Sequence, residues 1–280
     1  MLSRSRLSAL GQFSTKQFGR IRAVPRRPTI QMNMNMNMNR IPRSGSGSGS
    51  AVRFFSERSG HWYYTQHRST KYVANTVLVA NAAVFFAWQY ASIYQNRKLM
   101  QFLNENFILS WRAVKEGRIW TLLTSAFSHT NFAHFLFNCL AFNAFAGIIS
   151  GIPGVGGIAV AGLALGSAVT GSLAFLAQNR EKGRSSMRSA LGASGMVCGF
   201  SAAATCLVPK APMYIMFIPV AIPLWACTAV FLGIDLFYLD DDSSLVGHAA
   251  HLGGFGFGLA YYALGLSRFG GILRAGRRGF

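Results

Sequence analysis

An all-α membrane bundle with six spans is the fold class this sequence predicts, on three observations. Hydrophobic residues make up 51% of the 280 and charged residues only 12%, about half the charged share of an average soluble domain. The charge is also segregated, with 13 of the 27 Lys and Arg and one of the eight acids in residues 1–71. Third, six apolar runs follow, at about 72–94, 132–150, 155–178, 190–208, 213–238 and 246–266, most of them near the roughly 20 residues a helix needs to cross a bilayer. The net charge of +19 does not indicate a nucleic-acid binder, which would carry basic residues beside a folded core rather than in a separate leader.

The leader comes first. Residues 1–56 hold ten Lys or Arg and neither Asp nor Glu, the composition of an organellar transit peptide. A secretory signal would need an apolar run of about 7–15 residues near the start, and this leader has none. Its Met-Asn run from Met32 to Asn39 and Gly-Ser run from Ser44 to Ser50 cannot bury a core and are expected to be disordered. Arg53-Phe54-Phe55-Ser56 resembles a mitochondrial processing signal, so residues 1–55 are read as transit peptide and 56–71 as a polar segment before the first span. A basic tail lying on anionic lipid is the alternative.

Between the first two spans, residues 95–131 form a long amphipathic connection with Trp111 and Trp120, suited to the membrane interface. The second and fourth connections are short, so spans two and three, and four and five, are antiparallel neighbours. The third loop carries Arg180, Lys182, Arg184 and Arg188. These either steer acidic segments or, the favoured reading, lie on anionic lipid. In span five, Pro219 and Pro223 mark either a mobile gate or an ordinary kinked helix. Span six leads to a basic tail, 267–280, with Arg274, Arg277 and Arg278. Positive charge at both termini places them on one side, as six spans require, and the acidic turn Asp240-Asp241-Asp242 on the other.

Cys139, Cys198, Cys206 and Cys227 stand singly in apolar runs, without metal-ligand spacing, and read as packing residues. The pairs Gly162 with Gly166, Gly195 with Gly199, and Gly254 with Gly258 offer small faces for close helix approach in lipid.

An ionisable residue inside a span is a functional candidate by default. The spans hold His134, Asp235, His248 and His251. Asp235, near the end of its run, is more simply placed at the lipid headgroups. Spans two, four and six enter from one face, and His134, Asn138, Ser194 and His251 all fall early in them, at about 3–10 Å below that surface for a rise of 1.5 Å per residue. Their chemistry is complementary. Ser194, in Gly192-Ala193-Ser194-Gly195, opens a helix whose first N–H groups face any nearby oxyanion. A serine hydroxyl needs a base, and neutral histidine is the usual one. His134 and Asn138, four apart, share a face and both could donate to a tetrahedral intermediate.

These residues resemble the motifs of the rhomboid family of intramembrane serine proteases. The segment His129 to Asn138 resembles HxxxxHxxxN of the second helix, Gly192 to Gly195 the GxSG of the fourth, and His251 with Gly254 and Gly258 the AHxxGxxxG of the sixth. The resemblance covers residues 72–266 as a six-helix protease domain. It implies a dyad of Ser194 as nucleophile and His251 as general base and acid, with no third acid. It further implies an oxyanion hole of the Ser194 backbone N–H, His134 and Asn138, support of the first loop by His129, and neither metal nor organic cofactor. Single-pass transmembrane proteins would be the substrates, with the lipid bilayer as surroundings and no nucleic acid. His248, in Gly247-His248-Ala249-Ala250-His251, looks like the mitochondrial branch and is read as structural. That branch implies the mitochondrial inner membrane, with the site facing the intermembrane space. Two positions depart from the family pattern: Trp120-Thr121 where many members have Trp-Arg, and Cys198 where a Tyr often supports the base. The layout otherwise resembles the plain six-helix form. A catalytically inactive relative that binds transmembrane clients would share the fold, and a small transporter would share the six spans without the converging residues.

Overall fold

Helix α1 (Gly49–Ile93) runs 45 residues, starting well ahead of the expected first span. The computed structural model describes residues 49–181, 188–214, 220–241 and 246–276. Residues 49–55, expected to belong to the disordered leader, are thus helical, and the expected processing point falls inside α1. The two low-complexity runs lie, all but their last two residues, outside the described residues. The polar segment 56–71 continues the same helix, because it holds neither Pro nor a Gly pair that would stop it.

The interfacial connection resolves into short elements. They are α2 (Arg97–Phe107), β1 (Leu109–Ser110), α3 (Trp111–Lys115), α4 (Thr121–Thr124) and a 3-10 turn at Ser125–Phe127. Asn96 and Ser110 cap α2 and α3 by accepting from Leu99 N and Ala113 N, as N-cap residues do. Helix α2 folds back on α1 through Leu103 against Trp88 and Ala91. Helix α5 (Phe132–Ser150) coincides with the expected second span, capped by Asn131. Helix α6 (Gly157–Glu181) follows, and its first N–H is capped by the Ser69 hydroxyl of α1 at 3.0 Å.

The expected fourth span is shorter than its apolar run. Strand β2 (Ser189–Ala190) pairs antiparallel with β1, Leu109 opposite Ala190, and only then does α7 (Ser194–Leu207) begin. Ala190 in the strand and the turn at 191–193 take up the start of the run that hydropathy alone assigns to the helix. The fifth span is shortened likewise. Strands β3 (Pro212–Tyr214) and β4 (Ala221–Pro223) pair with each other, and α8 (Leu224–Phe237) starts after Pro223. Pro223 is therefore the N-cap of a helix rather than a kink within one, while Pro219 lies outside the described residues. Helix α9 (His248–Tyr261) continues as a π-turn at Tyr262–Leu266, a 3-10 turn and α10 (Ile272–Gly276).

By length and composition, Thr65–Ile93, α5 and α6 are apolar enough to cross a membrane, while α7 and α8 are shorter apolar helices of 14 residues each. Helix α7 is the centre of the bundle, buried at ten of its 14 positions. Met196, Phe200, Ala203 and Ala204 sit in the main core with Phe142, Ile149 and Leu163 of α5 and α6.

The glycine faces interlock as their spacing predicts. A Cβ on Gly254 of α9 would lie 2.7 Å from the Gly195 carbonyl carbon, and one on Gly258 would lie 2.9 Å from that of Gly199. Such contacts are far inside the usual carbon separation of about 3.5–4.0 Å, so the two backbones meet directly. Gly162 and Gly166 of α6 serve differently, making room for the Tyr261 hydroxyl and the Phe257 ring of α9.

Candidate active site

Two residues ahead of Ser194, the backbone is shaped by Gly192. Its φ is +127°, and a Cβ there would lie 2.7 Å from His134 Cε1, so glycine is required by conformation and by space. The Gly192 N–H donates to Ser125 O at 2.9 Å, and the Ala193 N–H donates to His129 Nε2 at 3.3 Å. The first loop therefore fixes the approach to Ser194. Ser194 opens α7, with Ala193 as N-cap, where first-turn N–H groups lack helical partners.

His129 is fully buried. Burial, reinforced by neighbouring His134, pushes its ring down to about 4. It is then neutral at physiological pH, so Nε2 is a lone pair able to accept from Ala193. His129 thus supports the segment that leads into Ser194. The first loop itself is anchored by Trp88 of α1, whose Nε1 donates to Ser128 Oγ at 2.7 Å. Where many relatives would have an Arg, Thr121 is buried and its hydroxyl donates to Arg118 O at 2.7 Å, while Trp120 Nε1 donates to Asn106 Oδ1 at 3.0 Å.

His134 and Asn138 lie on the inner side of α5, and the His129 and His134 ring centroids are 5.0 Å apart. His134 is half-buried against Gly192. Asn138 differs from expectation. Its Nδ2 donates to the His134 carbonyl at 2.8 Å, a local i to i−4 bond that competes with donation into the site.

His251 is brought to α7 by the glycine contacts that flank it. Its Nδ1 lies 2.7 Å from Asp235 Oδ1, and His248 Nδ1 lies 2.7 Å from the same oxygen. Asp235 is 7% exposed. This adds to two expectations: Asp235 is buried against the histidines of α9, and His251 has an acid beside it. An ionised carboxylate can only accept, so each ring presents Nδ1–H to it, and Nε2 of His251 is left as that ring's acceptor. His248, expected to be structural, is a second donor to the same carboxylate.

Cys198 stands one turn after Ser194. Its Sγ, an Asp235 oxygen and a His251 nitrogen all lie within 4.8 Å of one another. The small thiol thus leaves room for a carboxylate where the family pattern often has an aromatic ring. Sulfur, nitrogen and oxygen donors form a set that suits Zn²⁺, though binding there would break the Asp235 to His251 bond. The sequence alone does not pair Asp235 with these two histidines. The available signal was a carboxylate inside an apolar run, and what hid it was its position near the end of that run.

A family model described as the Rhomboid domain matches residues 116–268. The chain is 31% identical over 211 residues to RHOMBOID-like protein 12, mitochondrial, of Arabidopsis thaliana, covering 71% of this chain and 60% of that protein. It is 38% identical over 81 residues to an uncharacterised mitochondrial rhomboid protein of Schizosaccharomyces pombe, covering 28% of this chain and 21% of that one. The chain thus spans less than two thirds of the length of either relative. With the motif residues gathered around α7 and the family match extending over more than half of the sequence, the chain belongs to the rhomboid family.

Proposed function

We propose that this protein is an intramembrane serine endopeptidase that cleaves transmembrane segments of membrane-anchored proteins. The observation that carries the reading is the approach of α9 to α7 through Gly195 and Gly254, which sets His251, its Nδ1 engaged by Asp235, beside the helix that Ser194 opens. In the proposed reaction the scissile carbonyl of a locally unwound substrate helix meets Ser194 Oγ. His251 Nε2 takes the hydroxyl proton as the C–O bond forms, then returns it to the leaving amine as the C–N bond breaks. Water entering from the open face hydrolyses the acyl-enzyme, with His251 again as base. The Ser194 backbone N–H and His134 donate to the oxyanion, with Asn138 as a further donor if its amide turns from the His134 carbonyl.

The fold in the membrane is proposed as six spans, with α7 and α8 completed by the strand and loop residues at their ends. Both relatives are mitochondrial by name, which supports a mitochondrial membrane protein. The inner membrane, with the site toward the intermembrane space and residues 1–55 removed as a transit peptide, is the reading that the basic leader supports. Proteoliposomes containing the full protein and a labelled single-pass substrate test the activity. The unaltered protein is expected to cleave, while Ser194→Ala and His251→Ala are expected to be inactive. Cleavage that survives either substitution would overturn the dyad, and binding without cleavage by the unaltered protein would favour an inactive client-binding relative.

A further inference from the structure

We infer that Asp235 is the positioning residue for the base His251, and that His248 holds Asp235 in place. The inference rests on the protease reading above. One carboxylate oxygen accepts from two imidazoles, at 2.7 Å each, and both rings come from successive turns of α9 while the carboxylate comes from the last turn of α8. A buried carboxylate is costly unless hydrogen-bonded, so the pairing constrains all three side chains. Tyr238, at the C-cap of α8, adds a second point of grip, its ring stacked on His248 at 5.9 Å and 23°.

Two consequences for the reaction follow from this arrangement. The Asp235 carboxylate selects the Nδ1–H form of His251 and so leaves Nε2 basic. When His251 takes the proton of Ser194, the positive ring lies against a negative oxygen, and charge-assisted hydrogen bonds are about twice as strong as neutral ones. His248 does not replace His251, since its Nδ1 is engaged by the same carboxylate oxygen and its ring is stacked on Tyr238. Its contribution is to keep Asp235 from rotating away.

The other groups near the cluster are Cys198 of α7 and His134 of α5. Neither donates a hydrogen bond that would do the same work, because Cys198 is only a weak donor and His134 faces Gly192.

Single-turnover and steady-state cleavage in proteoliposomes, with a thermal melt of each protein, tests the inference. Asp235→Asn keeps the shape, but its amide can donate to Nδ1 and so favour the wrong ring form. We expect kcat to fall about 100-fold or more, with KM within a factor of two and a melting temperature close to that of the unaltered protein. His248→Gln, which retains a donor, is expected to stay within about threefold, and His248→Leu to lose about tenfold in kcat. A kcat for folded Asp235→Asn within twofold of the unaltered protein would overturn the inference while leaving the dyad intact. If Asp235→Asn does not fold, equal kcat for the two His248 variants overturns it instead. Failure of the unaltered protein to cleave, or to be labelled at Ser194 by a fluorophosphonate, would remove the protease reading and this inference together.

Discussion

Gly254→Ala tests whether backbone contact between α7 and α9 sets the catalytic geometry. The added methyl would lie 2.7 Å from the Gly195 carbonyl carbon and 3.1 Å from its Cα. Relief to an ordinary separation of about 3.5 Å requires the helices to part by nearly 1 Å, and no rotamer change can help because the opposing atoms are backbone. Overpacking of this kind costs about 1–3 kcal/mol. Gly195 follows Ser194 directly and Gly254 comes three residues after His251, so the displacement acts on the proposed dyad, where a misplacement of about 1 Å can cost 100-fold in rate. Gly256→Ala is the control, since a Cβ there meets nothing within 4 Å. Cleavage rates and thermal melts of the three proteins in the same detergent give the answer. We expect about 100-fold slower turnover and a lower melting temperature for Gly254→Ala, with Gly256→Ala close to the unaltered protein. Equal rates and melts for Gly254→Ala and the control would refute the reasoning.

Three further outcomes are expected. His129 is buried with its ring pushed down to about 4, against about 6.5 in the unfolded chain. The unfolded state therefore binds more protons between those values. Stability is full above pH 6.5 and declines as pH falls toward 4, by about 3 kcal/mol if the whole shift is realised; a denaturation series should show that loss reduced in His129→Gln. Asn138→Ala is expected to slow cleavage less than tenfold because its amide is bound to the His134 carbonyl, whereas His134→Ala should slow it about 100-fold; equal losses would return Asn138 to the oxyanion hole. Added Zn²⁺ is expected to inhibit by engaging Cys198, Asp235 and His251, and Cys198→Ala should raise the half-inhibiting concentration about tenfold or more; an unchanged inhibition curve would exclude that site.

The helices and the three motifs were legible because bilayer-length hydrophobicity and glycine spacing are local signals. Helix α5 begins and ends where its apolar run does, and the opposed glycines of α7 and α9 meet as small faces should. The starts of α7 and α8 were not legible. Their apolar runs overlap the β2, β3 and β4 segments, and hydropathy does not distinguish an apolar extended segment from an apolar helical one. At the site, Ser194 and His251 could be proposed from the motifs and the family those motifs resemble. Asp235 could not, since its partners lie 13 and 16 residues away across a turn whose path the sequence leaves open. Asn138 was placed on the correct face, but a hydrogen bond to its own helix is decided by side-chain rotation rather than by position.

Because α7 is short and enclosed, Ser194 is mechanically insulated from the bilayer. A helix of 14 residues spans about 21 Å, well under the roughly 30 Å hydrocarbon core, and its neighbours rather than lipid cover it. Changes in membrane thickness load lipid-facing helices through tilt and mismatch, and here that load falls first on the long helices α1, α5 and α6. Lipid composition then reaches the proposed site as a change in how the outer helices lean on α7, and a membrane of different thickness would alter the approach to the site before it altered the spacing of α7 and α9.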